Sequence, residues 1–173
     1  MDFRDGRSMK VVFVPHCQLN QNARLAACAE LPGAVEELIT GLMDRRIGII
    51  QLPCPELMLL GLDREQLDIR SGLSSRPARG ALHKMAQELV YQIRQYRECG
   101  VRVLGILGKD GSPACGVSTT EDARGPCKGT GVFIESLQAV LKTHNMPVEV
   151  VGCVDSEPQV ALDVVDRWDQ HAA

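Results

Sequence analysis

Four short apolar runs, rich in β-branched residues, constrain the fold of this chain more than any other feature. They occupy residues 10–14, 47–52, 101–107 and 148–154. Each run is continuous rather than alternating, which is typical of strands in a parallel sheet that is covered on both faces. Segments with helical spacing lie between and after the runs. The sequence therefore predicts an α/β fold, Rossmann-like or flavodoxin-like, with an open parallel sheet of about four to five strands and helices on both faces.

Four helices are predicted from apolar residues that recur every three or four positions. These stripes lie at residues 35–42, 77–98, 133–141 and 160–168. Pro32 suits the first turn of the first helix, and Gly100 suits the end of the second. The connection 54–76 carries no such pattern. A connection of that length inside a domain favours a functional lid or wall.

Length and composition indicate one domain that acts on small molecules. The chain has 173 residues, so we expect a single α/β domain over residues 10–173 and a flexible N-terminal extension over residues 1–9. The net charge of -3 and the aromatic content of 3% disfavour binding of long nucleic acids. No apolar run is long enough to cross a membrane or to form a signal-peptide core. We therefore expect a cytoplasmic protein, either a monomer or a small homo-oligomer.

Three of the seven cysteines come directly after predicted strands. Cys17 follows the first run, Cys54 the second and Cys115 the third. Because ligands of an open parallel sheet bind beyond the carboxyl ends of its strands, we expect these three side chains at one edge. An odd number of cysteines and the absence of a predicted secretion signal disfavour a disulfide framework.

The chemistry of three thiols at one edge points to a soft metal. Either a zinc ion with an open position or an iron-sulfur cluster with one iron not held by the protein would suit three cysteines. Cys127, in the third strand-to-helix connection, is a candidate fourth ligand or a mobile thiol. The remaining three cysteines are expected to be small apolar fillers in helices or a strand: Cys28, Cys99 and Cys153.

Three motifs in order along the chain resemble those of the TudS-type thiouracil desulfidases and their short, single-domain relatives. They are HCQLN at 16–20, QLPCPE at 51–56 and GSPACG at 111–116. The resemblance implies a 4Fe-4S cluster bound by Cys17, Cys54 and Cys115, with one iron not ligated by protein. It further implies non-redox hydrolysis of the C=S bond of a thiolated base, nucleoside or nucleotide, releasing sulfide. Glu56 and Ser112 would then be the catalytic side chains.

The chemistry of Glu56 and Ser112 agrees with these roles but leaves simpler interpretations open. A carboxylate two residues from Cys54 can activate water or transfer a proton, and a hydroxyl can stabilise developing charge. Equally, Glu56 could be a solvated loop residue, and Ser112 could only begin a turn around Pro113. His16 could line the site or be a hydrogen-bonded structural residue.

Other functions remain open from the sequence. One is a non-catalytic metal, iron-sulfur or sulfur-carrier protein that uses the same cysteines. Another is a hydrolase with Cys115 as nucleophile and His16 as its base, although this leaves the other two edge cysteines unused. Residues 129–131 could cradle an anion at the start of a helix. Arg64 and Asn20 are candidate substrate contacts in segments that differ from the best-known members of the resembled family.

Overall fold

The computed structural model of the chain describes residues 5–26, 28–64 and 68–171. In chain order, these residues form β1 (Lys10–Pro15), α1 (His16–Leu19), a 3-10 helix (Gln21–Ala23), α2 (Glu36–Asp44), β2 (Gly48–Leu52), α3 (Pro55–Leu60), α4 (Ile69–Ser74), α5 (Arg76–Glu98), β3 (Arg102–Lys109), β4 (Thr119–Asp122), β5 (Gly125–Lys128), α6 (Val132–Thr143), β6 (Val150–Cys153) and α7 (Pro158–His171). All four predicted strands and all four predicted helices are present.

The sheet has four parallel strands in the order β2-β1-β3-β6. The chain adds β2 on one side of β1 and then returns to place β3 on the other side. The strand order therefore reverses between β1 and β3, and the carboxyl edge at such a reversal is where open α/β sheets bind ligands. β4 and β5 form a separate antiparallel hairpin.

Helices cover both faces of the sheet, as the continuous apolar strands predict. On β1, Phe13 packs into the cluster formed with α4, α5 and α6. Its neighbours Val12 and Val14 point the other way, into the cluster formed with α2 and α7, because successive side chains of a strand alternate between faces. The predicted α/β architecture is confirmed.

Close packing between β3 and α7 requires a glycine in the strand. A Cβ atom on Gly105 would lie 2.5 Å from Cζ3 of Trp168, which is shorter than any normal contact. The indole of Trp168 is held there by a hydrogen bond of 2.7 Å from its Nε1 to the carboxylate of Glu149. The indole ring of Trp168 therefore packs directly against the backbone of β3.

Two details of the predicted elements are wrong. Pro32 does not lie in the first turn of α2, which begins at Glu36, but in the preceding bend. The connection 54–76 is not without regular structure, because it contains α3 and α4. By contrast, Gly100 does end α5, with a φ of 78° that favours glycine.

The proposed N-terminal extension stays a prediction. Its residues 1–4 lie outside the described residues, and regular structure begins at Lys10. Within the described ranges, no helix combines the length and the apolar character that crossing a membrane requires.

Candidate active site

Cys17, Cys54 and Cys115 all lie at the carboxyl edge of the sheet, around one cavity. Cys17 is in α1 directly after β1, Cys54 precedes α3 after β2, and Cys115 is in the turn after β3. All three line a cavity of about 370 Å³. The same cavity is lined by Glu56 and Ser112.

Local backbone structure holds Cys54 and Cys115 in place. Cys54 is the N-cap of α3, and its Sγ accepts a hydrogen bond of 3.4 Å from the Leu57 N–H. Pro55 occupies the first helical position, where its missing N–H costs nothing. The N–H of Cys115 donates to Ser112 Oγ at 3.0 Å, and its carbonyl accepts from the Lys109 N–H at 2.8 Å. Both cysteines are therefore fixed by hydrogen bonds to nearby groups of the chain.

The start of α6 supports the Cys115 turn rather than an anion. The N–H groups of Val132 and Phe133 donate to the carbonyls of Pro113 and Ala114, each at 3.0 Å. A Cβ atom on Gly131 would lie 2.4 Å from the Ala114 carbonyl, so only glycine allows this approach. The N–H groups of Gly129 and Gly131 likewise donate to the carbonyls of Ser118 and Gly116. These contacts disfavour an anion cradle at residues 129–131.

Burial keeps the three thiols protonated when they have no cationic partner. Desolvation raises the pKa of Cys17 to about 12 and raises the pKa of Cys54 as well. The pKa of Cys115 is raised well above its ordinary value, first by burial and then by the charges of Cys17, Glu56 and Cys54. A thiol of this kind is a poor free nucleophile, because the thiolate is the reactive form. This disfavours Cys115 as the nucleophile of a hydrolase.

Among the described residues, the side chains around the cavity form no ready site for one metal ion. In the described part of the chain, no three His, Cys, Asp or Glu side chains are grouped as the ligands of one metal ion would be. A tetrahedral zinc ion requires its ligands to meet at about 2.0–2.3 Å from one centre. The zinc and the iron-sulfur interpretations both stay predictions.

Glu56 and Ser112, which both line the cavity, are hydrogen-bonded to each other. Ser112 Oγ donates to Glu56 Oε1 at 3.0 Å and accepts the N–H groups of Ala114 and Cys115 at 3.1 and 3.0 Å. The Glu56 side chain is 13% exposed, so it is not a solvated loop carboxylate. Ser112 does shape its turn, but it also contacts the carboxylate that the sequence singles out.

The two candidate substrate contacts lie in different environments. Arg64 lines the cavity, but its side chain is 1% exposed and its guanidinium contacts Glu56 and two backbone carbonyls. Asn20 caps the 3-10 helix by accepting the Asn22 N–H at 3.1 Å, and it is not among the described residues that line the cavity. Neither side chain is presented as an uncommitted substrate contact.

A buried carboxylate that sequence reasoning missed organises the segment after Cys17. Asp155, just after β6, accepts hydrogen bonds from Gln18 Nε2 at 3.3 Å and Gln21 Nε2 at 3.0 Å. It also forms ion pairs with Arg24 and with Lys109 Nζ, the latter at 3.2 Å. The Nε2 of Gln21 contacts the carbonyl of Cys17 at 3.0 Å as well. The available signal was the position of Asp155 after the fourth strand, at the same edge as the cysteines.

The remaining cysteines and His16 differ in their relation to the cavity. Cys28 was predicted to fill a helix, but it is exposed, outside any helix, and lines the cavity. Cys153 is buried in β6 and donates to the Gly108 carbonyl at 3.0 Å. Cys127 lies in β5 opposite Thr120 and is absent from the cavity lining that the described residues form. His16 lines the cavity, and its buried Nε2 has no hydrogen-bond partner among the described residues.

Comparison with known proteins gives one sequence relative and one structural neighbour. No protein-family model matches the chain. The chain is 28% identical over 145 residues to the uncharacterized protein MJ0003 of Methanocaldococcus jannaschii, covering 84% of this chain and 86% of that protein. The fold is similar to that of a solved structure, the 4Fe-4S-dependent thiouracil desulfidase TudS, with a TM-score of 0.50 and 23% identity. This match covers 90% of this chain and 97% of TudS, and at that identity it establishes a shared fold.

Proposed function

We propose that this protein is a non-redox desulfidase, an enzyme that hydrolyses the C=S bond of a thiolated pyrimidine and releases sulfide. The observation that carries the proposal is the convergence of Cys17, Cys54 and Cys115 on one cavity that Glu56 and Ser112 also line. The similarity in fold to a protein named as a thiouracil desulfidase supports it. The expected substrate is a small molecule: a thiolated base, nucleoside or nucleotide.

The three cysteines suit the 4Fe-4S cluster that the resemblance to the TudS-type desulfidases implies. Each cysteine of such a cluster binds a different iron, so the thiols must surround a common volume. The thiols of Cys17, Cys54 and Cys115 line one cavity. When bound there, the cluster would supply a Lewis-acidic iron with no protein ligand and with affinity for the thiocarbonyl sulfur.

In this proposal, Glu56 transfers the protons of the hydrolysis. Attack of water on the thiocarbonyl carbon forms the C–O bond and releases a proton, which Glu56 accepts as the general base. Glu56 returns this proton to the sulfur as the C–S bond breaks. The second water proton leaves the hydroxyl as the C=O bond forms, and Glu56 passes it to the departing HS⁻, which leaves as H₂S. The sum is C=S plus H₂O giving C=O plus H₂S, with no change of oxidation state. The low exposure of the carboxylate limits competing exchange with bulk water.

Ser112 acts on this step through the carboxylate. Its oxygen is fixed by two backbone N–H donors, so its single proton is directed to Glu56 Oε1. A hydroxyl held in this way orients the carboxylate toward the cavity and stabilises the negative charge that Glu56 carries before it takes up the proton.

Anaerobic purification followed by an activity assay tests the proposal. We expect a brown protein with about four irons and four sulfides per chain, and loss of thione absorbance when it is mixed with 4-thiouracil or 4-thiouridine monophosphate. Cys17→Ala, Cys54→Ala and Cys115→Ala should lose the colour. Cys99→Ala is the matched control and should keep it, because Cys99 ends α5 away from the cavity.

A second variant separates catalysis from cluster binding. Glu56→Gln should keep the iron but lose turnover by about 10²–10⁴-fold, the usual contribution of a general base. A loaded protein that releases no sulfide from any thiolated base would instead indicate a non-catalytic iron-sulfur or sulfur-carrier protein. Purified protein that contains zinc and no iron would refute both.

A further inference from the structure

Arg64 is a buried cation whose position is fixed independently of Glu56. Its Nη1 donates to the Gly61 carbonyl and its Nη2 to the Ala23 carbonyl, both at 2.8 Å. These carbonyls belong to two different segments, one after α3 and one at the end of the 3-10 helix that follows Cys17. With its side chain 1% exposed, the guanidinium cannot turn away into solvent.

The same guanidinium contacts one oxygen of the Glu56 carboxylate. Arg64 Nη2 lies 3.3 Å from Glu56 Oε2, and Nε lies 3.4 Å from the same atom. The other oxygen, Oε1, accepts the hydrogen bond of 3.0 Å from Ser112. Each carboxylate oxygen therefore has its own partner, Arg64 from the segment after α3 and Ser112 from the turn after β3. A carboxylate held at both oxygens keeps one orientation, whereas an exposed glutamate samples several.

We propose that Arg64 is a positioning residue for Glu56, which holds Oε2 so that the carboxylate faces the cavity in the orientation needed for proton transfer. This inference rests on the proposed desulfidase function for its effect on the rate, but not for the contact itself. A misplaced general base costs rate steeply, because proton transfer requires hydrogen-bond reach. Arg64 touches neither substrate nor cofactor in this role.

Arginine is the side chain that this arrangement requires. Its planar fork presents several N–H groups in fixed directions, so it can contact two carbonyls and a carboxylate at the same time. Lysine carries a single charged nitrogen on a flexible stem, so it can reach Glu56 or a carbonyl but cannot reproduce the whole set. Methionine would fill part of the space but would donate no hydrogen bond.

The kinetic test compares Arg64→Met and Arg64→Lys in cluster-loaded enzyme, with 4-thiouracil or 4-thiouridine monophosphate as substrate. We expect kcat to fall about 10²-fold in Arg64→Met, the loss typical of a misplaced catalytic group, while KM and the visible spectrum of the cluster stay unchanged. Arg64→Lys should recover part of the lost kcat. Arg45→Met is the control, since Arg45 also pairs with a carboxylate and contacts a carbonyl, but does so between α2 and α7. A rise in KM with unchanged kcat, or equal losses in the Met and Lys variants, would overturn the proposal.

A measurement without any activity separates this inference from the proposed function. Urea unfolding of cluster-free wild type, Arg64→Met, Glu56→Gln and the double variant gives the coupling between the two side chains. Arg64→Met should lower the folding equilibrium constant at least tenfold more when Glu56 is present than when glutamine replaces it. Additive effects on stability would show that the two side chains are not coupled, and this result would not depend on the activity of the protein. Coupling in a protein that releases no sulfide would contradict the proposed function and preserve the contact.

Discussion

Replacing Asp155 with asparagine should destabilise the fold more than any comparable change at the surface. The Asp155 side chain is 0% exposed and the paired Lys109 side chain is 7% exposed. Asparagine would leave this buried ammonium with only Glu30, among the described residues, as a counter-charge, at 4.0 Å and 48% exposed. Removing one partner of a buried ion pair typically costs about 3–5 kcal/mol of the free energy of unfolding. Gln18 and Gln21 donate to different oxygens of Asp155, so asparagine keeps an acceptor for only one of them. Arg24, which is 16% exposed, can reach water. The loss therefore comes mainly from Lys109, with a smaller share from one glutamine.

Urea unfolding of the cluster-free protein, followed by circular dichroism, measures this loss. A cost of about 3–5 kcal/mol corresponds to a fall of about 1–2 M in the urea midpoint at the slope expected for a chain of this size. Asp166→Asn is the matched control: Asp166 pairs with Arg45 at 2.6 Å, but its side chain is 41% exposed, so its loss should stay below about 1 kcal/mol.

A double variant identifies the cause of the loss. Adding Lys109→Met to Asp155→Asn removes the buried ammonium. The double variant should regain a substantial part of the lost stability, because apolar replacement of a buried pair is often close to neutral. The reasoning is refuted if Asp155→Asn loses no more than Asp166→Asn. It is also refuted if the double variant is less stable than Asp155→Asn alone, because the buried charge would then not be the cause.

Two further predictions concern the packing and ionisation of buried groups. Gly105→Ala should lower the free energy of unfolding by about 1–3 kcal/mol through overpacking, since its Cβ would lie 2.5 Å from Trp168. Gly80→Ala, in open space within α5, is the control and should be neutral or stabilising. Thermal unfolding of both variants measures the difference, and equal effects would contradict the packing argument. Burial raises the pKa of Cys153 to about 11, above its ordinary value of 9.0, so the stability from its neutral thiol is full below pH 9 and is lost as the pH rises toward 11. The unfolding free energy of the wild type should therefore fall by about 2–3 kcal/mol more than that of Cys153→Ala across this range, and parallel pH profiles in urea titrations would exclude this contribution.

The elements that sequence reasoning located are those with long or continuous apolar patterns. The central strands β1 and β3 are largely buried and read as continuous apolar runs. The long α5 buries one face, so its apolar residues repeat at helical spacing. The helices α3 and α4 have six residues each and were missed, because fewer than two turns give no measurable periodicity. The β4–β5 hairpin was missed for a similar reason: its strands TTED and GPCK are short and mostly polar.

The candidate site, like the fold, was predicted from the sequence only in part. The common location of Cys17, Cys54 and Cys115 followed from strand order alone, because the carboxyl ends of parallel strands share an edge. The burial of Asp155 could not be predicted, because aspartate is usually exposed and its partner Arg24 lies 131 residues away in the chain. Cys28 was expected in or at the end of a helix as an apolar filler, but α2 begins only at Glu36, eight residues later.

The chain of contacts through Arg64, Glu56 and Ser112 has a consequence for how the protein would acquire the proposed cluster. It runs from the Ala23 carbonyl through Arg64 and Glu56 to Ser112 and the Cys115 N–H, so it joins the segments after β1, β2 and β3 through protein groups alone. In small metal-dependent domains, by contrast, metal binding and folding are one event. Here folding and cofactor insertion should be separate steps. Removal of the cofactor by a chelator should therefore leave a folded protein that can be loaded again.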